Sequence, residues 1–146
     1  EDIGLADPQA VTQALAAKDV YDFLGSPEGE LALAQAVVYM ATAPKSNAVY
    51  AAFGEAMRAA KAHGSLSPPK HILNAPTKLM GEQGYGAGYD YDHDAPDAFS
   101  GQNYFPDEMG RRLKFYDPPE RGFEREITKR LAYWENLRNK RQAGDR

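Results

Sequence analysis

The chain has 146 residues, 42% of them hydrophobic, with no cysteine and a net charge of −4. That length allows one domain or two small ones, with roughly 68–70% of the unfolded surface buried, and the missing cysteines exclude disulfides, thiolate zinc sites and thiol nucleophiles. No apolar run approaches the ~20 residues that span a bilayer and no secretory leader opens the chain, so a soluble, cytosolic protein with no membrane partner is expected, and the start at Glu1 suggests a piece of a longer one.

Asp7-Pro8 reads as an N-cap with proline at the first helical position, where its missing N–H is no loss. The spacing predicts a helix to about Leu24, with Val11, Ala14, Leu15, Tyr21 and Leu24 as a partial apolar stripe and Gly25 as its stop. Ser26-Pro27 repeats the start signal, and a second helix over residues 27–43 is apolar nearly all round, as a central or interface helix is. Pro44 ends it. Ser46 is placed to cap a third helix to about His63, with Val49, Tyr50, Phe53, Met57 and Ala60 at three- and four-residue spacing and Gly64 beyond. Three helices with short loops predict an antiparallel bundle over residues 1–64. Seventeen of the 23 alanines fall in the first 62 residues, so these helices can approach closely.

Residues 65–119 are predicted as short helices and an irregular packed segment. Asn74 is a candidate cap for a short helix over residues 76–83, and single turns are expected near residues 96–100 and 106–109. No period persists from Gly84 to Pro119, so the segment must be packed down by its own aromatics, among them Tyr85, Tyr89, Tyr91, Phe99, Tyr104 and Phe105. Residues 120–146 are predicted as a long helix to about Lys140 and a polar tail, and the three stretches are expected to make one domain. Phe123, Ile127, Leu131, Trp134 and Leu137 share one face of that helix, and Glu126 and Arg130 form an ion pair on the other.

Tests for chemistry fail one by one. Asp90, Asp92 and Asp94 match the first positions of a calcium loop, but Ala95 and Gly101 stand where glycine and glutamate are required; a looser metal site with His93, and a metal-dependent enzyme built on it, is set against a solvated acidic loop making Asx turns. Gly84, Gly86 and Gly88 lack the dinucleotide spacing, and no phosphate-cradling Gly-Lys-Ser/Thr loop exists. His63, His71 and His93 are scattered. No residue is assigned to catalysis, a cofactor or a metal. Charge is uneven: residues 1–110 carry 6 Lys/Arg against 15 Asp/Glu, and residues 111–146 carry 11 against 6. Such a gradient fits head-to-tail contact between copies, a local anionic target, or merely differing solvated faces. Arg111, Arg112, Lys114 and Arg121 lie among Phe115, Tyr116 and Phe123, a mix that tracks a phosphate backbone and stacks bases, or simply covers a helix. A single-stranded nucleic-acid-binding module in the basic C-terminal third is therefore the alternative function. Tyr39, Met40, Tyr50, Phe53 and Met57 are the candidates for a subunit interface, with core as the default for aromatics at helical spacing.

Glu1-Asp2-Ile3-Gly4-Leu5-Ala6-Asp7-Pro8, Ser26-Pro27-Glu28-Gly29-Glu30-Leu31-Ala32-Leu33-Ala34-Gln35-Ala36, Ala43-Pro44-Lys45-Ser46-Asn47-Ala48-Val49-Tyr50, residues 74–80, Gly84-Tyr85-Gly86-Ala87-Gly88-Tyr89 and Gln102-Asn103-Tyr104-Phe105-Pro106 together resemble the C-terminal region of the replication-associated recombination protein A family. This family of AAA+ proteins, related to clamp-loader subunits, includes the eukaryotic Werner-helicase-interacting ATPase. The matching blocks stand in family order as far as about Leu137. The resemblance implies an all-α helical bundle similar to the clamp-loader collar, a post-AAA+ oligomerisation domain that forms a homotetramer. It also implies a parent protein acting in DNA replication, recombination and repair at stalled forks. ATP and Mg would be bound in an N-terminal part outside this sequence, so this chain alone is no enzyme and holds no cofactor. The implied partners are further copies, DNA through the parent, and single-strand-binding protein or a helicase, in the cytoplasm.

Overall fold

In a computed structural model that describes residues 1–144, the first helix starts as its sequence dictates: the Asp7 carboxyl accepts the Gln9 N–H at 3.0 Å, and α1 runs Gln9–Leu24. Gly25, at φ +65°, ends it, the Ser26–Pro27 peptide is cis, and α2 follows at Glu28–Thr42. Ser26 makes no capping bond, contrary to expectation; the cap position is Pro27, which has no N–H and offers no side-chain acceptor. α2 folds back on α1 because Gly29 has no side chain: a Cβ there would lie 2.5 Å from the Tyr21 Cα. Among the described residues the buried hydrophobic ones are Ala6, Ala10, Ala17 and Ala36; three of them lie on α1 and α2, as suits helices whose backbones come close together.

The chain divides into two compact units that interleave in sequence. The first comprises Glu1–Ala56 and Phe115–Leu131; the second comprises Met57–Lys114 and the chain from Ala132 onward. The division falls within α3 (Ala48–His63) and within the last helix, α5 (Glu124–Gln142).

In the first unit, α1 and α2 pack on each other, whereas α3 has no comparable packing on either. The reason is the approach to α3: the connection after α2 is extended at Ala43 and is tied to the N-terminal segment by the Ser46 N–H donating to the Asp2 carbonyl at 2.8 Å. Ser46 caps as expected, its Oγ accepting the Ala48 N–H at 3.2 Å. The same segment fixes the start of α5, where Phe123 N–H donates to the Ala6 carbonyl at 2.8 Å and Arg121 donates to the Lys45 carbonyl at 3.2 Å. This clasp, with Gly122 at φ +49°, delays the last helix to Glu124, four residues beyond the expected Glu120. Glu126 pairs with Lys129 at 2.8 Å rather than with Arg130, whose guanidinium lies 5.4 Å from the Phe123 ring centre.

In the second unit the short helix is α4, Lys78–Glu82, and its cap is Thr77, which accepts the Met80 N–H at 3.3 Å, not Asn74. Asn74 stands four residues ahead of the helix, out of capping register. The two expected single turns occur at Pro96–Ala98 and Asp107–Met109, with further turns at Lys70–Ile72 and Asp92–Asp94. Aromatics do pack the irregular segment: Phe99 lies 5.0 Å from Trp134, and His71 lies 6.0 Å from Tyr104. Gln102 staples it, accepting the Asp90 N–H at 3.1 Å and donating to the Gly88 carbonyl at 2.7 Å. The described residues are helical without a strand, so the fold is all-α. The end of the expected polar tail, Asp145 and Arg146, lies outside the described residues.

Candidate functional site

The interface candidates separate by burial. Tyr39 is half-buried and its hydroxyl donates to Asp7 at 2.8 Å, while the Met40 carbonyl accepts the Lys45 ammonium; both belong to the hairpin's own packing. Tyr50 and Phe53, on α3, are 63% and 66% exposed, with Val49 exposed beside them. Met57, one turn further on the helix and the first residue of the second unit, is 57% exposed. Sequence reasoning missed Phe23, 87% exposed, and Leu31, Val37 and Val38 on α2. The signal was available in the nearly all-apolar α2, read as central or interface without choosing its open side.

The basic candidates are divided between the units. Arg111, Arg112 and Lys114 belong to the second and Arg121 to the first. Arg112 pairs with Glu135 at 3.3 Å, Arg121 is spent on the Lys45 carbonyl, and Lys114 has an interaction of its own. Arg111 is exposed. In the acidic loop, Asp92 accepts the Ser100 N–H at 2.7 Å, and hydrogen bonding from Ser100 holds its carboxyl below the usual range. Among the described residues no three His, Cys, Asp or Glu side chains are grouped to hold a metal ion.

The second unit contains a cavity of about 370 Å³ lined by Asp92, Phe99, Tyr104, Phe105, Arg112 and Arg138 among others. Arg138, on α5, is 12% exposed; it donates to Glu135 at 2.6 Å and its guanidinium lies 5.2 Å from the Phe99 ring centre. Its buried Nε–H has no acceptor. Nothing in the sequence marked Arg138, because a cation near a helix C-terminus is ordinary.

A buried polar pair sits at the start of α5. Glu124 is 0% exposed, and one carboxyl oxygen accepts the Tyr116 hydroxyl at 2.7 Å while the other has no partner. Burial first, and Glu124 second, push the Tyr116 hydroxyl well above its ordinary range. A raised tyrosine contributes stability that is full below its unfolded value, about 10, and is lost as pH climbs through the folded one. Stability is thus expected to fall in strong alkali. Tyr116→Phe should reduce neutral-pH stability by about 1.5–3 kcal/mol, the range for hydrogen bonds to charged groups, and should make the alkaline fall shallower. Urea titrations across pH check both.

The model of the family described as "MgsA AAA+ ATPase C terminal" matches residues 1–135. Replication-associated recombination protein A of Coxiella burnetii is 51% identical over 139 residues, covering 94% of this chain and 31% of that protein. The protein of the same name from Escherichia coli K12 is 48% identical over 134 residues, 91% of this chain and 30% of its own length. ATPase WRNIP1 of Dictyostelium discoideum is 38% identical over 117 residues, 80% of this chain and 13% of its own length. The chain therefore spans about a third, or less, of the curated relatives it matches.

Proposed function

We propose that this chain, which belongs to the MgsA AAA+ ATPase C-terminal family, is the module through which a replication and recombination ATPase assembles with copies of itself as a homotetramer. The observation that carries this is the ratio of what is buried to what is not. Among the described residues the buried hydrophobic ones are four alanines, while Tyr50, Phe53, Phe23, Leu31 and Val38 lie open. Folding alone leaves these side chains largely in water, where each large apolar group forgoes up to about 1.5–3 kcal/mol of burial, and covering them against further copies recovers it. Uneven charge along the chain adds a polar contribution to docking between copies.

ATP and Mg are then bound, and ATP hydrolysed, by parts of the parent that precede this module. DNA is the parent's substrate, single-strand-binding protein or a helicase its partner, and the cytoplasm its place. No described helix is long and apolar enough to cross a membrane. The alternative, single-stranded nucleic-acid binding by Arg111, Arg112, Lys114 and Arg121, is favoured by the basic C-terminal third but weakened by the internal engagement of Arg112 and Arg121.

Size-exclusion chromatography with multi-angle light scattering, at two protein and two salt concentrations, tests assembly. A tetramer at micromolar concentration is expected, with interfaces near or above ~1,000 Å². A monomer under every condition would refute self-association by this chain.

A further inference from the structure

We infer that α3 of one copy docks antiparallel on the open face of α2 in the next, so that copies join head to tail through two different surfaces. This rests on the self-assembly proposed above and names the two faces that meet.

The first observation is where each helix turns its large side chains. In α2, Gly29 meets Tyr21 of α1, and Ala36, seven residues on along the same side, is buried. Leu31, Ala34, Val38 and Ala41, three and four residues apart, share another side of the helix. All four are exposed, Leu31 to 70% and Val38 to 63%. α3 has no buried residue; Ala48, Ala52 and Ala56 are half-buried, while Val49, Tyr50 and Phe53 are open. An amphipathic helix of a folded domain turns its large apolar groups to the core. Here the alanines take the inner side and the rings the outer one. Within one copy the two faces do not cover each other, because the Asp2–Ser46 tie and the extended chain at Ala43 lead α3 away from α2.

The second observation is that the faces complement each other in shape. The α2 stripe alternates Leu31 and Val38 with Ala34 and Ala41, which leaves furrows at the alanines. α3 presents a ridge made by Tyr50 and Phe53. Helices pack by setting ridges into grooves.

Charge is the third observation, and it sets the direction and the occupant. α2 opens with Glu28 and Glu30, and α3 closes with Lys61 and His63, all of them exposed. An antiparallel contact places the acidic turn against the basic one and brings Tyr50 and Phe53 over the Val38 and Ala41 end. Complementary charge of this kind fixes register and excludes wrong pairings. Like faces cannot do the same. α2 has no basic residue in its last turn and α3 no acidic one in its first, so neither helix answers its own charge when paired with itself. A second copy of this chain supplies both the missing face and the missing charge. Each copy then gives α3 to one neighbour and α2 to another, a heterologous contact that closes as a ring.

The test mixes two variants, each lacking one face. Leu31→Glu with Val38→Glu removes the α2 face, and Tyr50→Glu with Phe53→Glu removes the α3 face. Each alone is expected to be a monomer by light scattering, with helicity unchanged by circular dichroism. Their equimolar mixture retains one good pair and is expected to reach twice the monomer mass, well above the concentration at which the native chain assembles. The inference is overturned if either folded variant alone forms dimers or larger species, since like faces then meet, or if the mixture stays monomeric. Glu28→Lys with Glu30→Lys should weaken native assembly about tenfold, more at low salt than at high. Adding Lys61→Glu with His63→Glu to the same chain should restore it. These side chains are exposed, so this arm decides even where a glutamate variant loses its fold; no weakening, or no restoration, overturns the antiparallel docking. A native chain that is itself monomeric overturns both this inference and the assembly on which it rests, whereas a native tetramer with a self-associating variant overturns this inference alone.

Discussion

The double substitution Tyr50→Glu and Phe53→Glu is expected to abolish assembly, raising the dissociation constant by about a thousandfold or more and giving a monomer by light scattering at concentrations where the native chain is a tetramer. Both side chains are about two-thirds exposed and stand on a helix with little packing against α1 and α2. Their replacement therefore removes little from the folded monomer. In an interface the balance reverses. Each ring contributes on the order of 2 kcal/mol once covered, and each glutamate put in its place is a charge to be desolvated without a partner. Two such sites exceed about 4 kcal/mol, and every 1.4 kcal/mol is tenfold in affinity. Tyr39→Phe is the contrast. Its hydroxyl serves Asp7 within the hairpin, so the change should affect the α1–α2 pair and leave the oligomeric state alone. If the glutamate pair remains a tetramer, with helicity unchanged by circular dichroism, α3 is not the interface.

The difference between these tyrosines indicates what was legible beforehand. Helix positions followed from chemistry acting over a few residues: Asp7 before Pro8, Gly25 and Gly64 at helix ends, Ser46 two residues before α3. Periodicity also identified Tyr39, Met40, Tyr50, Phe53 and Met57 as one apolar class. It could not divide them, because whether an apolar face is covered depends on a distant segment, here the Asp2–Ser46 tie and the extended approach to α3. The late start of α5 was hidden for the same reason. Residues 120–123 have a serviceable helical pattern, and only the Ala6 carbonyl, more than a hundred positions away, holds Phe123 out of the helix. Of the cavity, the aromatics were foreseen as packing; Arg138 was not, since its neighbours Phe99 and Glu135 give it meaning only in three dimensions.

That distant hold on α5 gives the second large effect. Gly122→Ala is expected to destabilise the chain by about 3 kcal/mol or more, read as a lower urea midpoint with the slope unchanged. Gly122 adopts φ +49°, and a side chain in this left-handed region costs roughly 1–2 kcal/mol by itself. Space adds the rest: a Cβ would fall 2.0 Å from the Ala6 oxygen, 2.9 Å from its carbon and 2.8 Å from the Pro44 Cγ. None of these is the end of a flexible side chain, so the backbone must separate. Separation breaks the Phe123–Ala6 hydrogen bond, worth about 1 kcal/mol net, and loosens the neighbouring Arg121–Lys45 contact. Gly110→Ala isolates the conformational part, since Gly110 is left-handed at φ +63° with nothing within 4 Å of its Cβ position. That variant should lose only about 1 kcal/mol. Equal losses at the two glycines would mean that the N-terminal segment and the start of α5 are not tightly joined. A loss two or three times larger at Gly122 would establish this junction, rather than the alanine contact of α1 and α2 alone, as a main support of the first unit.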